Sequence, residues 1–221
     1  WANEVYVPET KALQNNGDEE RTWTVVESVA YVEETATSTN ARARNVGYAT
    51  FEDAIEAIGI RNTNKTVTML QDVVLENTIT IAAGKEIILD LNGKVVSYES
   101  AVVGEDMITN KGKLTIESSV EGGKLTYKNT DETGANVTIS TISTEPGSEL
   151  IINGGIIENT SLANNTSKVL VPYTIDILTN GNLGDVTVTI NGGSIISENY
   201  IAIRQFVNGN VCNNSLTVKG G

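Results

Sequence analysis

The chain has 221 residues, with 15 Lys plus Arg against 28 Asp plus Glu and a formal charge of −13. That size suits one large domain or two small ones, and that balance excludes the cationic face needed for nucleic acid or an anionic membrane surface. With no histidine and a single cysteine, Cys212, it also excludes His-based catalytic triads, internal disulfides and Cys-cluster metal sites.

Val, Ile and Thr number 72 against 28 Leu plus Ala, which favours strand over helix. No apolar run reaches the ~18 residues of a membrane-spanning helix. The sequence opens at Trp1 without a charged-then-apolar signal segment. With 24 Asn and 27 Thr beside the acidic balance, the composition suits an exported, solvated surface. An extracellular location, cell-surface or secreted, is therefore expected.

Residues 1–45 read as an irregular leader that supplies N-terminal cap strands. Asn15-Asn16-Gly17-Asp18 is a turn signal, Thr22–Val32 has strand-like β-branched content, and Thr35–Asn45 reads as a polar linker. A helix is predicted over residues 50–59. Thr50 serves as N-cap, Phe51, Ala54, Ile55 and Ile58 form one apolar stripe, Glu52 and Asp53 lie in the first turn, and Gly59 ends it. So short a helix persists only when docked.

From Lys65 onward short alternating strands recur in sets of three. The first strand carries an aliphatic pair, at Val67/Met69, Leu89/Leu91, Leu114/Ile116, Leu150/Ile152, Val188/Ile190 and Leu216/Val218. A turn follows, often Asn-Gly-Gly, and then a second strand with Val74, Val96, Leu125, Ile157 or Ile195. The third strand carries Ile79/Ile81, Met107/Ile108, Val137/Ile139, Ile175/Ile177 or Ile201/Ile203. Three strands per unit, with a shortest unit of 22 residues, match a coil of a three-sided parallel β-solenoid, and about six coils are expected. Longer units place their extra residues in corner loops. A β-sandwich is the alternative, because Asn-Gly is also a hairpin signal.

Gly47-Tyr48-Ala49-Thr50-Phe51-Glu52-Asp53-Ala54-Ile55, then Thr66–Leu70, Gln71-Asp72-Val73-Val74-Leu75 and Ile87–Lys94, resemble a known succession. It is similar to the right-handed parallel β-helix regions of large bacterial surface proteins, which are pectate-lyase-like in fold and adhesin-like in description. The resemblance covers about residues 47–221 and implies a fold; it carries no shared catalytic motif. Residues 46–221 are then one all-β, right-handed parallel β-helix with the 50–59 helix as its N-terminal cap.

Asn92, Asn153 and Asn191 recur at one corner and read as an asparagine ladder. Glu117 or Glu121 interrupts that ladder. Asn129-Thr130-Asp131 matches a three-residue motif of pectin-hydrolysing β-helix enzymes, which also need paired aspartates and a histidine, and neither occurs here. A lyase would require several clustered acids for calcium and a basic residue as proton acceptor. Arg204 is the one arginine beyond residue 61, and Asp176 lies one unit before it. The two are expected to pair across coils, with a structural salt bridge as the first reading and a ligand site as the second.

Tyr98 and Tyr127 occupy the same repeat position and are expected to stack, either as part of the framework or as an exposed platform for sugar rings. Tyr173 and Tyr200 lie near insertions. Asp90 and Glu86 read as a solvated face, and Cys212 as an inert thiol. No catalytic residue, metal or other cofactor is expected, and calcium is not indicated.

The expected function is a non-enzymatic extracellular surface or adhesion module of a bacterial cell-surface protein, with polysaccharide, host glycan or host protein as partner. The alternatives are a β-helix polysaccharide lyase or hydrolase, and a pure structural spacer. Leu216–Gly221 reproduces the opening of a coil. This predicts further coils after residue 221 and end-to-end self-association of the isolated chain.

Overall fold

The computed structural model describes residues 8–15, 23–34, 44–58, 66–130, 137–162, 170–180, 184–208 and 214–220. Within them the chain is mostly β, with the one helix α1 at Phe51–Ala57. Gly59, Asp131, the 163–168 insertion and Cys212 lie outside the described residues, as do most of the 35–45 linker and of the Asn15–Asp18 turn.

From residue 66 the chain visits three sheets in fixed rotation. The first sheet takes Thr66–Met69, Glu86–Asp90, Lys113–Glu117, Glu149–Ile152, Thr187–Ile190 and Ser215–Val218 in that spatial order, all parallel. The second takes Val73–Val74, Val95–Ser100, Lys124–Asn129, Ile156–Asn159 and Ser194–Ser197, again parallel. The third takes Ile79–Ile81, Ile108–Asn110, Val137–Thr144, Leu170–Asn180 and Ile201–Asn208, parallel throughout. Each circuit of three strands therefore lies one strand spacing, about 4.8 Å, from the previous one. Hairpin connections, which the sandwich alternative required, do not occur in this region among the described residues.

Side chains repeat with the circuits. Val96, Leu125, Ile157 and Ile195 pair in register down the second sheet, the first three fully buried. In the first sheet the column is Val67, Leu89, Ile116, Ile152, Ile190 and Val218. Leu89, not Leu91, is the partner of Ile116; Leu91 is buried two residues further on, at the corner. The second-sheet partner of Val96 is Val73, while Val74 is exposed. In the third sheet Ile79, Ile108, Ile142, Ile175 and Ile203 align, so Ile142 replaces Ile139 in that column. The first-sheet slip arises because its strand carries inward residues at three alternate positions, so a shift by two preserves the pattern; in the third sheet Ile139 and Ile142 are both buried three residues apart, so the alternation itself breaks between them.

The leader joins the same body. Ala30–Glu34 pairs antiparallel with Thr66–Met69 on one side and Arg44–Tyr48 on the other, so Arg44 and Asn45 belong to a strand and not to a linker. Trp23–Glu27 pairs with Lys11–Asn15 as a separate antiparallel ribbon. In α1 the Thr50 hydroxyl accepts from the Asp53 amide, as an N-cap should. Phe51, Ala54, Ile55 and Ile58 share one core cluster with Ala30, Val67 and Ile87. Lys85 donates to the Ile55 carbonyl at 2.8 Å, satisfying a group that the short helix leaves open.

Corners are built from side-chain amides and carboxylates. Asn191 donates to Asn153 at 2.8 Å, one step of the expected ladder, while Asn92 turns to the Met69 carbonyl and itself adopts φ 48°. Asp90 is buried and accepts from the Asn92 and Ser119 amides at 2.9 and 2.8 Å. It organises a corner, contrary to the solvated reading, because the first-sheet strand ends there and two backbone donors need an acceptor. Glu86 is half-buried beside Lys113, which also meets Glu149 at 3.1 Å.

Candidate functional site

Tyr98 and Tyr127 stack as the repeat predicts, with ring centroids 5.8 Å apart and planes within 10°. They do so inside. Each lies two residues past an inward residue, Val96 or Leu125, and so faces the same way; Tyr98 is 7% exposed and Tyr127 is 0% exposed. An exposed sugar platform on this pair is thereby ruled out.

Their hydroxyls hold the 101–106 loop. Tyr98 donates to the Glu105 carboxylate at 2.8 Å, Ser100 donates to the same oxygen, and Tyr127 donates to the Glu105 carbonyl. Asn129 donates to the Val102 carbonyl at 2.9 Å. Burial pushes both phenols above their ordinary range.

Asp106 ends that loop and reaches the third sheet, where its Oδ1 accepts from the Ser140 amide at 2.6 Å and the Ser140 hydroxyl at 2.7 Å. Burial pushes its carboxyl up to about 6, the Ser140 hydrogen bonds oppose the rise, and the Asp176 charge adds to it. Ser143, whose side chain also opposes the rise at Asp106, is the register partner of Asp176, and Asp176 is the partner of Arg204. Asp106, Ser143, Asp176 and Arg204 thus form a polar row across successive circuits.

The expected Asp176–Arg204 pair is present and bidentate. Arg204 Nε donates to Asp176 Oδ1 at 2.7 Å and Nη2 donates to Oδ2. Asp176 is 2% exposed, so this is a desolvated pair held by register. Burial opposes the Arg204 charge, yet its carboxylate partner holds the guanidinium above its ordinary range.

Aromatic rings border the guanidinium. Its carbon lies 4.2 Å from the Tyr173 centroid and 5.2 Å from that of Phe206. Tyr200 meets Tyr173 edge-on at 5.8 Å. Arg204 and Phe206 alternate with Ile203, which packs on the core, so they face away from it. Tyr200 and Phe206 are 48% and 47% exposed. Their exposed rings and the fixed ion pair offer apolar surface next to hydrogen-bonding groups. Position in the repeat marks Asp176 and Arg204; the only sequence signal for Phe206 is its two-residue spacing from Arg204.

Among the described residues no three His, Cys, Asp or Glu side chains gather into a group able to hold a metal ion. No helix among them is long and apolar enough to cross a membrane. Comparison of the chain with protein-family models, curated proteins and solved structures finds no match.

Proposed function

We propose that residues 66–218 form a right-handed, three-sided parallel β-helix of the kind found in bacterial surface proteins, and that the chain is a non-enzymatic extracellular adhesion module. Its glycan-binding surface is the face of the third sheet that carries Tyr200, Arg204 and Phe206, with the buried Tyr173 ring as their support. The three-sheet rotation supports the first part, since crossovers between parallel strands of one sheet are almost always right-handed. Exposed Phe206 beside a guanidinium held by Asp176, with exposed Tyr200 edge-on to the Tyr173 ring on its other side, is the observation that carries the second. Pyranose rings present C–H faces that pack on aromatic rings, while their hydroxyls use neighbouring polar groups.

A glycan array followed by calorimetric titration tests this reading. Tyr200→Ala and Phe206→Ala are each expected to weaken binding about three- to tenfold, the affinity equivalent of ~0.5–1.5 kcal/mol. No glycan bound, or affinity unchanged in both variants, leaves the structural spacer as the better account. Incubation with polygalacturonate and calcium, followed by ultraviolet absorbance, tests the non-enzymatic part; unsaturated product that disappears in Arg204→Ala overturns it.

A further inference from the structure

We infer that this face accepts uncharged pyranoses and rejects uronate-bearing glycans, an inference that rests on the glycan-binding reading above. Arg204 is the one basic residue between Lys168 and Lys219. A guanidinium commonly recruits anionic ligands by a two-pronged hydrogen bond to their carboxylate. Here that fork is already occupied, because Nε and Nη2 both serve Asp176. Its flat surface is also bordered, by Tyr173 and Phe206.

Two further acids accompany the pair. Asp106 lies at the far end of the same polar row and is close enough for the Asp176 charge to act on it. Glu198, exposed, is two residues before Tyr200. A uronate carboxylate could take only the guanidinium N–H groups not turned to Asp176, on a cation whose charge Asp176 already offsets and with Asp106 and Glu198 opposing it. A neutral ring meets no such opposition, since Tyr200 and Phe206 supply exposed ring surface and the same N–H groups can donate to its hydroxyls.

The test titrates the full chain with a β-1,4-linked galactohexaose and with hexagalacturonate, each at ~10 mM and ~1 M salt, between which the screening length falls from ~30 to ~3 Å. The neutral hexaose is expected to bind at least about tenfold more tightly at low salt, with the uronate gaining affinity at high salt and the neutral sugar unchanged. Asp176→Asn, which frees the fork of Arg204, is expected to raise hexagalacturonate affinity about tenfold and to leave galactohexaose within about threefold. If that variant does not fold, the salt series on the native chain decides alone. Native binding of hexagalacturonate as tight as, or tighter than, galactohexaose at low salt overturns this inference and leaves the glycan-binding reading standing. Binding of neither hexaose at millimolar concentration removes both.

Discussion

Tyr98 with Tyr127 in the second sheet, and Tyr173 with Tyr200 at the third, are brought together by the same one-strand step between circuits, yet they meet different surroundings. The first pair stacks flat and dry beneath the 101–106 loop. The second meets edge-on, with Tyr200 half in solvent and Arg204 over Tyr173. Strand parity accounts for the difference. In the second sheet alternation is unbroken, so Tyr98 follows Val96 inward. In the third, Ile175 lies in the core while Tyr173, two residues earlier, meets Arg204. Between them Thr174 donates its hydroxyl to the Ile196 carbonyl of the second sheet. Thr141, its counterpart one circuit earlier, donates likewise to the Glu158 carbonyl. The alternation is interrupted at this threonine pair, and the interruption turns the preceding aromatic away from the core.

The largest effect that separates the two regions is expected from Tyr127→Ala, which empties a fully buried site and should cost about 3–5 kcal/mol in chemical denaturation. A change within ~1 kcal/mol would break the interior assignment. Asp176→Ala comes next: it strands Arg204, whose side chain is 21% exposed, and should cost roughly 2–4 kcal/mol, less than full burial of the cation would give. A cost equal to that of a surface substitution would show that the pair does not stabilise the third sheet.

A pH titration of stability sharpens the link between the regions, because Asp106 joins the loop to the third sheet. Its carboxyl is raised to about 6 in the fold from 3.8 unfolded. The associated stability is therefore fully present below the unfolded value and is lost as pH rises through about 6, amounting to about 3 kcal/mol. Asp106→Asn should flatten that decline between about pH 3 and 7, a window set by ~1 unit around each of these values. Equal slopes for variant and native chain would assign the titration elsewhere. The smallest effect on stability belongs to Tyr200→Ala and Phe206→Ala, both within about 1 kcal/mol despite their expected effect on glycan affinity. A loss comparable to that of Tyr127→Ala would make them framework as well.

The three-strand rotation, the helix with its Thr50 cap and the Asp176–Arg204 pairing were all legible in the sequence. Each depends on local periodicity or on position within the repeat, which a single chain displays directly. The same period of two hides a slip of two residues. Ile87, Leu89 and Leu91 form an unbroken alternating set, and only pairing with Lys113–Glu117 makes Leu89 the partner of Ile116. Tertiary structure also decided which polar residues are dry. Asn110, Asn129 and Asn159 end their strands fully buried or nearly so, with side-chain amides donating to the Glu149, Val102 and Tyr173 carbonyls. In sequence they are ordinary turn asparagines; burial becomes compulsory only when a corner carbonyl from elsewhere in the fold needs a donor. Repeat position could therefore specify that Tyr98 meets Tyr127 and that Asp176 meets Arg204. Whether each pair faced the core or solvent depended on parity and on covering loops, which exist only once the circuits are stacked.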